Sequence, residues 1–131
     1  MESESNLDLA LRFVTSINKQ NLDGLISLVT ERHSFNAIDR QVSGIERDTM
    51  REVWRQYFEA CPDYLIHLSE VLEREDLIIL LIRTTGAFMH LLPSEEFQNR
   101  LIWTLQRSGE LISALSIYPD NEETRRELGV G

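Results

Sequence analysis

Apolar side chains in the first sixty residues recur at spacings of three and four, which is the period of an amphipathic helix. Three helices are predicted, from about Asn6 to Lys19, from Leu22 to Thr30 and from Glu46 to Ala60. Ser5 and Asn21 stand immediately before the first two, and both residue types are favoured N-caps. This part of the chain is therefore predicted to be mainly helical.

Each predicted helix has an apolar face. The inward residues are Leu7, Leu11, Val14, Leu9, Phe13 and Ile17 in the first helix, Leu22, Leu25, Ile26 and Val29 in the second, and Met50, Val53, Trp54, Tyr57 and Phe58 in the third. The first helix carries two adjacent stripes, and an apolar face of this width predicts that the helix lies across a sheet. Pro62 ends the third helix, because the residue before a proline is biased away from helical geometry.

From Tyr64 onward the period changes to the alternation of β-strands. Strands are predicted over residues 64–73, 77–91, 96–107 and 111–118, and the first six residues of the second are apolar on both faces, as in a covered central strand. One further strand is predicted over residues 33–39, followed by a turn or loop at 40–44. The polar residues 120–131 are predicted to be a frayed helix or disordered, after a single domain spanning residues 1–119.

Composition and charge argue against two classes of partner, nucleic acids and membranes. The 131 residues suit one domain, and a formal net charge of −9 without any run of Lys or Arg argues against nucleic acid as a partner. No apolar run approaches the ~20 residues of a membrane span, so no membrane partner is expected. Cys61 is the single cysteine and cannot form an internal disulfide. With an acidic N-terminus unlike a signal peptide, these features favour the cytoplasm.

Cofactor motifs are not found. There is no glycine-rich phosphate loop, and His33, His67 and His90 are too far apart in sequence to form a recognisable metal motif. Cys61, at a predicted helix end, has no motif that pairs it with a base. We therefore expect neither a metal nor a cofactor.

Several short motifs follow one another in a recognisable order. They are Phe13-Val14-x-x-Ile17-Asn18-x-x-Asn21-Leu22-Asp23-Gly24-Leu25, Gly44, Cys61-Pro62-Asp63, Thr85-Gly86 and Ser108-Gly109-Glu110-Leu111-Ile112. In this order the chain resembles the nuclear transport factor 2-like superfamily, also called the cystatin-like α+β roll, and within it the SnoaL-like group. The resemblance covers residues 6–119. It implies an α+β fold in which a curved, mostly antiparallel sheet wraps around three helices of the N-terminal half, forming a cone with a central pocket.

The resemblance implies a small hydrophobic or polyketide-like ligand and a homodimer formed through the outer face of the sheet. The superfamily includes isomerases, dehydratases, polyketide cyclases and hydrolases beside non-catalytic modules, so the fold does not decide whether this chain is an enzyme. One hypothesis is acid–base chemistry, namely cyclisation, isomerisation or dehydration. The other is a non-catalytic binding or dimerisation module whose pocket is filled by its own side chains.

Asp39 and His90 are the candidate catalytic residues. Asp39 shares a predicted strand face with Phe35 and resembles an acidic residue near the pocket of relatives, where burial would raise its pKa and suit it to proton transfer. The alternative is a solvated carboxylate that opens the following turn. His90 can shuttle a proton near neutrality, or it is a surface residue at the end of a strand.

The candidate ligand contacts lie on predicted inward positions: Phe13, Ile17, Trp54, Phe58, Thr84, Phe88, Asn99, Trp103 and Leu115. Asn99 interrupts an apolar row and can hold a ligand carbonyl, unless a bulge turns it outward. The aromatic members equally suit a plain core. Arg83 is predicted on the opposite face, in an ion pair or against an anionic ligand, and His67 toward solvent.

Ketosteroid isomerase activity is not predicted. Enzymes of that kind in the superfamily use a tyrosine in the first helix, an aspartate base on the first strand and an acid on a later strand. In this chain those positions read Phe13, Ala37 and Leu101. Asp39 and Asn99 would replace them only with a two-residue shift in register.

Overall fold

The computed structural model describes residues 5–37, 40–85 and 100–130. The helices and strands in it are α1 (Asn6–Asn18), α2 (Leu22–Ile26), β1 (Val29–Ala37), β2 (Arg40–Glu46), α3 (Arg47–Ala60), β3 (Leu65–Arg74), β4 (Leu77–Thr85), β5 (Arg100–Ser108), β6 (Leu111–Pro119) and α4 (Glu122–Leu128). The predicted α+β class is confirmed.

The strands form one curved, open sheet in the order β2-β1-β6-β5-β4-β3. Neighbouring strands are antiparallel, apart from β1 and β6, which pair in parallel. The first strand of the chain therefore lies beside the last. Register shifts between His33 and Phe35 in β1, and between Leu68 and Glu70 in β3, mark irregularities of the kind that bend a strand.

The N-caps predicted for α1 and α2 are confirmed. The Ser5 hydroxyl accepts a hydrogen bond from the backbone N–H of Asp8 at 3.1 Å, and the Asn21 side chain accepts one from the N–H of Gly24 at 3.0 Å. Each cap satisfies one of the backbone donors that a helix start leaves unpaired. The second helix ends at Ile26, earlier than predicted, because the chain enters the sheet at Val29.

Two sequence predictions about local structure are wrong. Residues 40–44, predicted as a turn or loop, begin strand β2, which pairs with β1 at the edge of the sheet. Leu7 and Leu11, predicted to face inward, are 48% and 43% exposed. A helix packed against one surface buries a single stripe, and in α1 that stripe contains Phe13 and Ile17.

Apolar side chains are buried on both faces of the sheet. The inner cluster joins the buried faces of α1, α2 and α3 to the concave side of the strands, with Trp103 among its largest members. The outer cluster consists of Ile79, Leu81 and Ile102 packed with Val130. Strand β4 is therefore covered on both sides, as predicted.

The C-terminal residues form a capped helix on the outer face. The Asn121 side chain accepts a hydrogen bond from the Thr124 N–H at 2.8 Å, and Gly129 ends α4 in the left-handed conformation with φ 70°. The Arg125 side chain holds Asp120 with distances of 2.6 and 3.0 Å. Of the two alternatives for this tail, the structure shows the helix. Among the described helices, none has the length and apolar character required to cross a membrane.

Candidate functional site

A cavity of about 300 Å³ lies between α3 and the concave face of the sheet. Its walls come from β1, β2, α3, β5 and β6. The lining residues are Phe35, Ile45, Thr49, Met50, Val53, Trp54, Tyr57, Tyr64, Trp103 and Ile117. The lining is mostly apolar, and the volume is at the lower end of the range for small-molecule sites.

Helix α3 roofs the cavity and is fixed at its start. The Arg47 guanidinium donates two hydrogen bonds to the carbonyl oxygen of Val29, at 2.9 Å from Nε and 2.6 Å from Nη2, which ties the start of α3 to β1. Farther along, the Trp54 and Phe58 rings lie 5.6 Å apart. The roof is therefore a packed aromatic surface attached to the strand that supplies one wall.

Two tyrosine hydroxyls and one thiol meet at the end of α3. The rings of Tyr57 and Tyr64 meet edge to face at 5.0 Å, and Tyr57 hydrogen-bonds to both Tyr64 and Cys61. Burial raises the pKa of Tyr57 to about 12, and burial likewise raises the pKa of Tyr64 and of the Cys61 thiol. All three groups are thus uncharged at neutral pH, and Cys61 lacks the lowered pKa of a nucleophilic cysteine.

Trp103 presents an unpaired hydrogen-bond donor at the cavity wall. Its side chain is 1% exposed, and the indole Nε1–H has no partner among the described residues. The ring meets Phe13 edge to face at 6.4 Å, which fixes its position. Buried indole N–H groups usually find an acceptor.

A second, smaller pocket of about 10 Å³ lies next to the main cavity and is lined by His33; we call it the extension. The extension shares Phe35, Met50 and Trp54 with the main cavity. His33 is 5% exposed, and neither of its ring nitrogens has a hydrogen-bond partner in the described structure.

The His33 imidazole is uncharged at neutral pH. Burial lowers its pKa, and the charge of Arg47 lowers it further. The backbone of Thr30 raises the pKa and partly offsets these effects, although it forms no hydrogen bond of normal geometry with the ring. The sequence offered His33 only one candidate role, that of a metal ligand, which its distance from the other histidines disfavours. Its position two residues before Phe35, on the same face of a strand, was the signal for an inward side chain.

The described candidate contacts divide into three groups. Trp54 and Trp103 line the main cavity, and Phe13 and Leu115 line the extension together with Trp54. The third group lies in the packed core outside these walls and contains Ile17, Phe58 and Thr84. For all three groups, contact with a ligand stays a prediction.

Four candidates lie outside the described residues: Asp39, His90, Phe88 and Asn99. The two polar residues predicted on the opposite face, His67 and Arg83, line a groove on the outer side of the sheet with Arg100 and Asp120. His67 is half-buried rather than solvated, and its Nε2 lies 2.9 Å from the hydroxyl of Thr85. Within the described ranges, no three side chains of the metal-binding types cluster together.

The chain matches the model of one protein family. The model of the SnoaL-like domain matches residues 10–114. A search of curated proteins gives no significant match. The fold of the superfamily recognised in the sequence is also found among solved structures, at identities that support the fold alone.

Three of these structures illustrate the likeness. A protein of unknown function with a cystatin-like fold from Xanthomonas campestris has a TM-score of 0.73 at 10% identity, covering 92% of this chain and 94% of its own. A candidate polyketide cyclase from Sinorhizobium meliloti has a TM-score of 0.69 at 14% identity, covering 84% of this chain and 93% of its own. A hypothetical protein with a ketosteroid isomerase-like fold from Catenulispora acidiphila, in complex with trimethylamine, has a TM-score of 0.70 at 11% identity, covering 97% of this chain and 96% of its own. With most of its length matched by the family model, the chain belongs to the SnoaL-like domain family.

Proposed function

We propose that this protein binds a small, mostly apolar molecule in the cavity beneath α3, and that the ligand carries a hydrogen-bond acceptor for the Trp103 indole. The observation that carries the proposal is a cavity of about 300 Å³ with mostly apolar walls and, on Trp103, a buried donor that has no partner among the described residues. This volume supports the proposal over the rival hypothesis of a pocket filled by its own side chains.

The chemistry of the walls defines the ligand. Apolar side chains surround most of the space, so burial of one or two hydrocarbon rings would supply most of the binding free energy. The indole N–H can donate but not accept, which favours a carbonyl, ether or hydroxyl oxygen. A small hydrophobic or polyketide-like compound has these properties. The polyketide cyclase assignment of the Sinorhizobium meliloti relative agrees with this class.

The two tryptophans of the chain, Trp54 and Trp103, both line the cavity. Their indole N–H signals in a ¹⁵N NMR spectrum therefore report directly on its occupancy. We expect titration with 2-methylnaphthalene, an apolar two-ring probe, to shift both signals. If both stay unchanged up to the solubility limit of the probe, the proposal is wrong.

A matched pair of variants separates the cavity from the rest of the sheet. Ile117 lines the cavity, whereas the next residue, Tyr118, packs on the outer cluster. Ile117→Phe fills part of the volume and should weaken binding about tenfold, the effect of ~1.4 kcal/mol. Tyr118→Phe should leave binding unchanged. Equal effects of the two substitutions would place the probe elsewhere.

Acid–base turnover of the ligand by cyclisation, isomerisation or dehydration is the activity that family membership favours, with Asp39 as acid or base and His90 as its partner. The test is Asp39→Asn, which should leave folding intact and abolish turnover of a substrate once one is identified. Unchanged turnover would remove Asp39 from the mechanism. Phe88 and Asn99 belong to the same proposal as ligand contacts.

Assembly as a homodimer through the outer face of the sheet is also proposed. The outer groove offers charged residues of both signs, including Arg83, Arg100 and Asp120, for such a contact. Because α4 occupies part of this face, the dimer would have to include α4 or use the groove beside it. Sedimentation equilibrium of the full chain distinguishes monomer from dimer.

A further inference from the structure

His33 differs from the half-buried histidine on the other face of the sheet. His67 has a hydrogen bond between Nε2 and the Thr85 hydroxyl at 2.9 Å, which holds the ring in place. His33 is more deeply buried, at 5% exposed, and neither of its ring nitrogens has a hydrogen-bond partner of normal geometry in the described part of the chain, although the backbone of Thr30 is near enough to raise its pKa. A histidine kept for packing alone would have its polar atoms satisfied or be replaced by an apolar residue without loss.

The unpaired ring lies beside a small pocket that adjoins the main cavity. His33 lines the narrow extension, and Phe35, Met50 and Trp54 belong to the walls of both the extension and the main cavity. The volume of about 10 Å³ is close to the space needed for one water-sized group. The extension is therefore of the size of a single hydroxyl group.

The surroundings keep the ring neutral and favour a partner that donates a hydrogen bond. The described residues that line the extension include no carboxylate, and the nearby charged group is Arg47, whose guanidinium is engaged with the carbonyl of Val29. A second positive charge is unfavourable here because of burial and of Arg47. The neutral imidazole offers one lone pair and one N–H, and its lone pair needs an O–H or N–H donor.

We infer that His33 is a ligand-binding residue, and that the ligand carries an acidic hydroxyl, as in a phenol or an enol, which enters the extension and donates a hydrogen bond to the imidazole. This inference rests on the proposed function, since it requires the main cavity to hold the rest of the ligand. It adds a second polar contact to the hydrogen bond that the Trp103 indole would donate to the ligand. The ligand class is accordingly a one- or two-ring compound with a phenolic or enolic hydroxyl.

Two probes of the same shape test this inference. 2-Naphthol and 2-methylnaphthalene differ only in a hydroxyl against a methyl group. We expect the wild-type chain to bind 2-naphthol about tenfold more tightly, the ratio that one net hydrogen bond supplies. His33→Leu should bring that ratio close to one while 2-methylnaphthalene still binds. His67→Leu, the matched control on the outer face, should keep the wild-type ratio.

The outcomes separate the two proposals. If wild type binds both probes equally, or His33→Leu keeps the preference, His33 is not the hydroxyl partner and the cavity proposal stands alone. If neither probe binds the wild type, both proposals fall. Should His33→Leu not fold, the wild-type histidine ring signals decide, after His67 and His90 are replaced in turn to identify that of His33. A shift of this signal with 2-naphthol and none with 2-methylnaphthalene supports the inference, and equal or absent shifts overturn it.

Discussion

The two faces of the sheet differ in whether their polar side chains have hydrogen-bond partners. On the outer face Asp120 is held by Arg125 at 2.6 Å, and the Asn36 side chain donates to the Ser116 hydroxyl at 3.2 Å. On the inner face, His33 and the indole nitrogen of Trp103 are buried without a described partner. On the outer side the C-terminal residues cover an apolar cluster beside a polar groove, whereas the inner side has a mostly apolar cavity.

This contrast separates structural groups from binding groups. A folded chain satisfies nearly all of its buried polar atoms, because an unpaired one costs about 1–3 kcal/mol. The outer face follows that rule in the pairs above. The inner face departs from it at two positions, and both line the cavity or its extension. This departure supports the ligand site proposed above.

Removing residues 120–131 should have the largest effect on the outer face. The truncation uncovers Ile79, Leu81 and Ile102 and loses the buried Val130. We expect the free energy of unfolding to fall by about 3 kcal/mol, since burial of one valine alone contributes ~1.5–3 kcal/mol. Urea denaturation followed by tryptophan fluorescence measures the change. The exposed-site control Glu127→Gln should stay within about 0.5 kcal/mol of wild type, and a truncated chain as stable as that control would contradict the packing described.

The next largest effect is a pH dependence of stability that comes from the charge state of His33, on the inner face of the sheet. Because burial lowers the pKa of His33 in the folded chain, the unfolded chain binds the proton more tightly. The folded protein therefore loses stability as the pH falls below ~6.5, the ordinary pKa in the unfolded chain, at up to about 1.4 kcal/mol per pH unit until the lower folded-state pKa is reached.

His33→Leu removes this titration. Between pH 7.5 and 5.5 the wild type should lose about 1 kcal/mol more than the variant in urea denaturation, because the other titrating groups are common to both chains. The difference between the two chains, rather than the absolute curve, is the measured quantity. Parallel pH profiles would show that His33 is solvated or paired, and would remove the contrast between the faces.

The Asp120–Arg125 pair should give the smallest effect. Arg125 lowers the pKa of Asp120 by hydrogen bonding, but its own side chain is 35% exposed, so solvent screens the interaction. Asp120→Asn should cost at most ~1 kcal/mol at neutral pH. Since the folded-state pKa is lowered, the difference should vanish as the pH falls below ~4.

Asp63→Asn, at an exposed carboxylate, is the control for that measurement and should change stability less. High salt should reduce the effect at Asp120, because the Arg125 side of this partly buried pair is open to solvent. If the two substitutions cost the same, the outer pair is not a stabilising contact.

Much of the fold was predictable, because local signals and tertiary structure agree. Helix α1 begins after Ser5 and α3 ends before Pro62, as their capping and backbone rules require. Strand β2 was missed since its polar sequence around Gly44 has little strand character of its own, and pairing with β1 supplies its order. The exposure of Leu7 and Leu11 was missed because sequence cannot tell which of two stripes meets the sheet.

The candidate site was less predictable than the fold. Trp54 and Trp103 were identified as inward by spacing and parity, and both line the cavity. His33 was not, although its parity with Phe35 was visible, because sequence shows neither burial nor the lack of a hydrogen-bond partner. Asp39 and His90 lie outside the described residues, and their roles stay predictions.

The parallel pairing of β1 with β6 has a consequence for synthesis of the protein. His33, near the beginning of the chain, shares the extension with Ile112 and Leu115, which leave the ribosome some eighty residues later. A nascent chain that lacks β6 has neither that wall nor the second neighbour of β1, which until then can pair only with β2. The pocket beside His33 is therefore completed in one late step, and until then β1 has one unpaired edge that a chaperone or another chain can occupy.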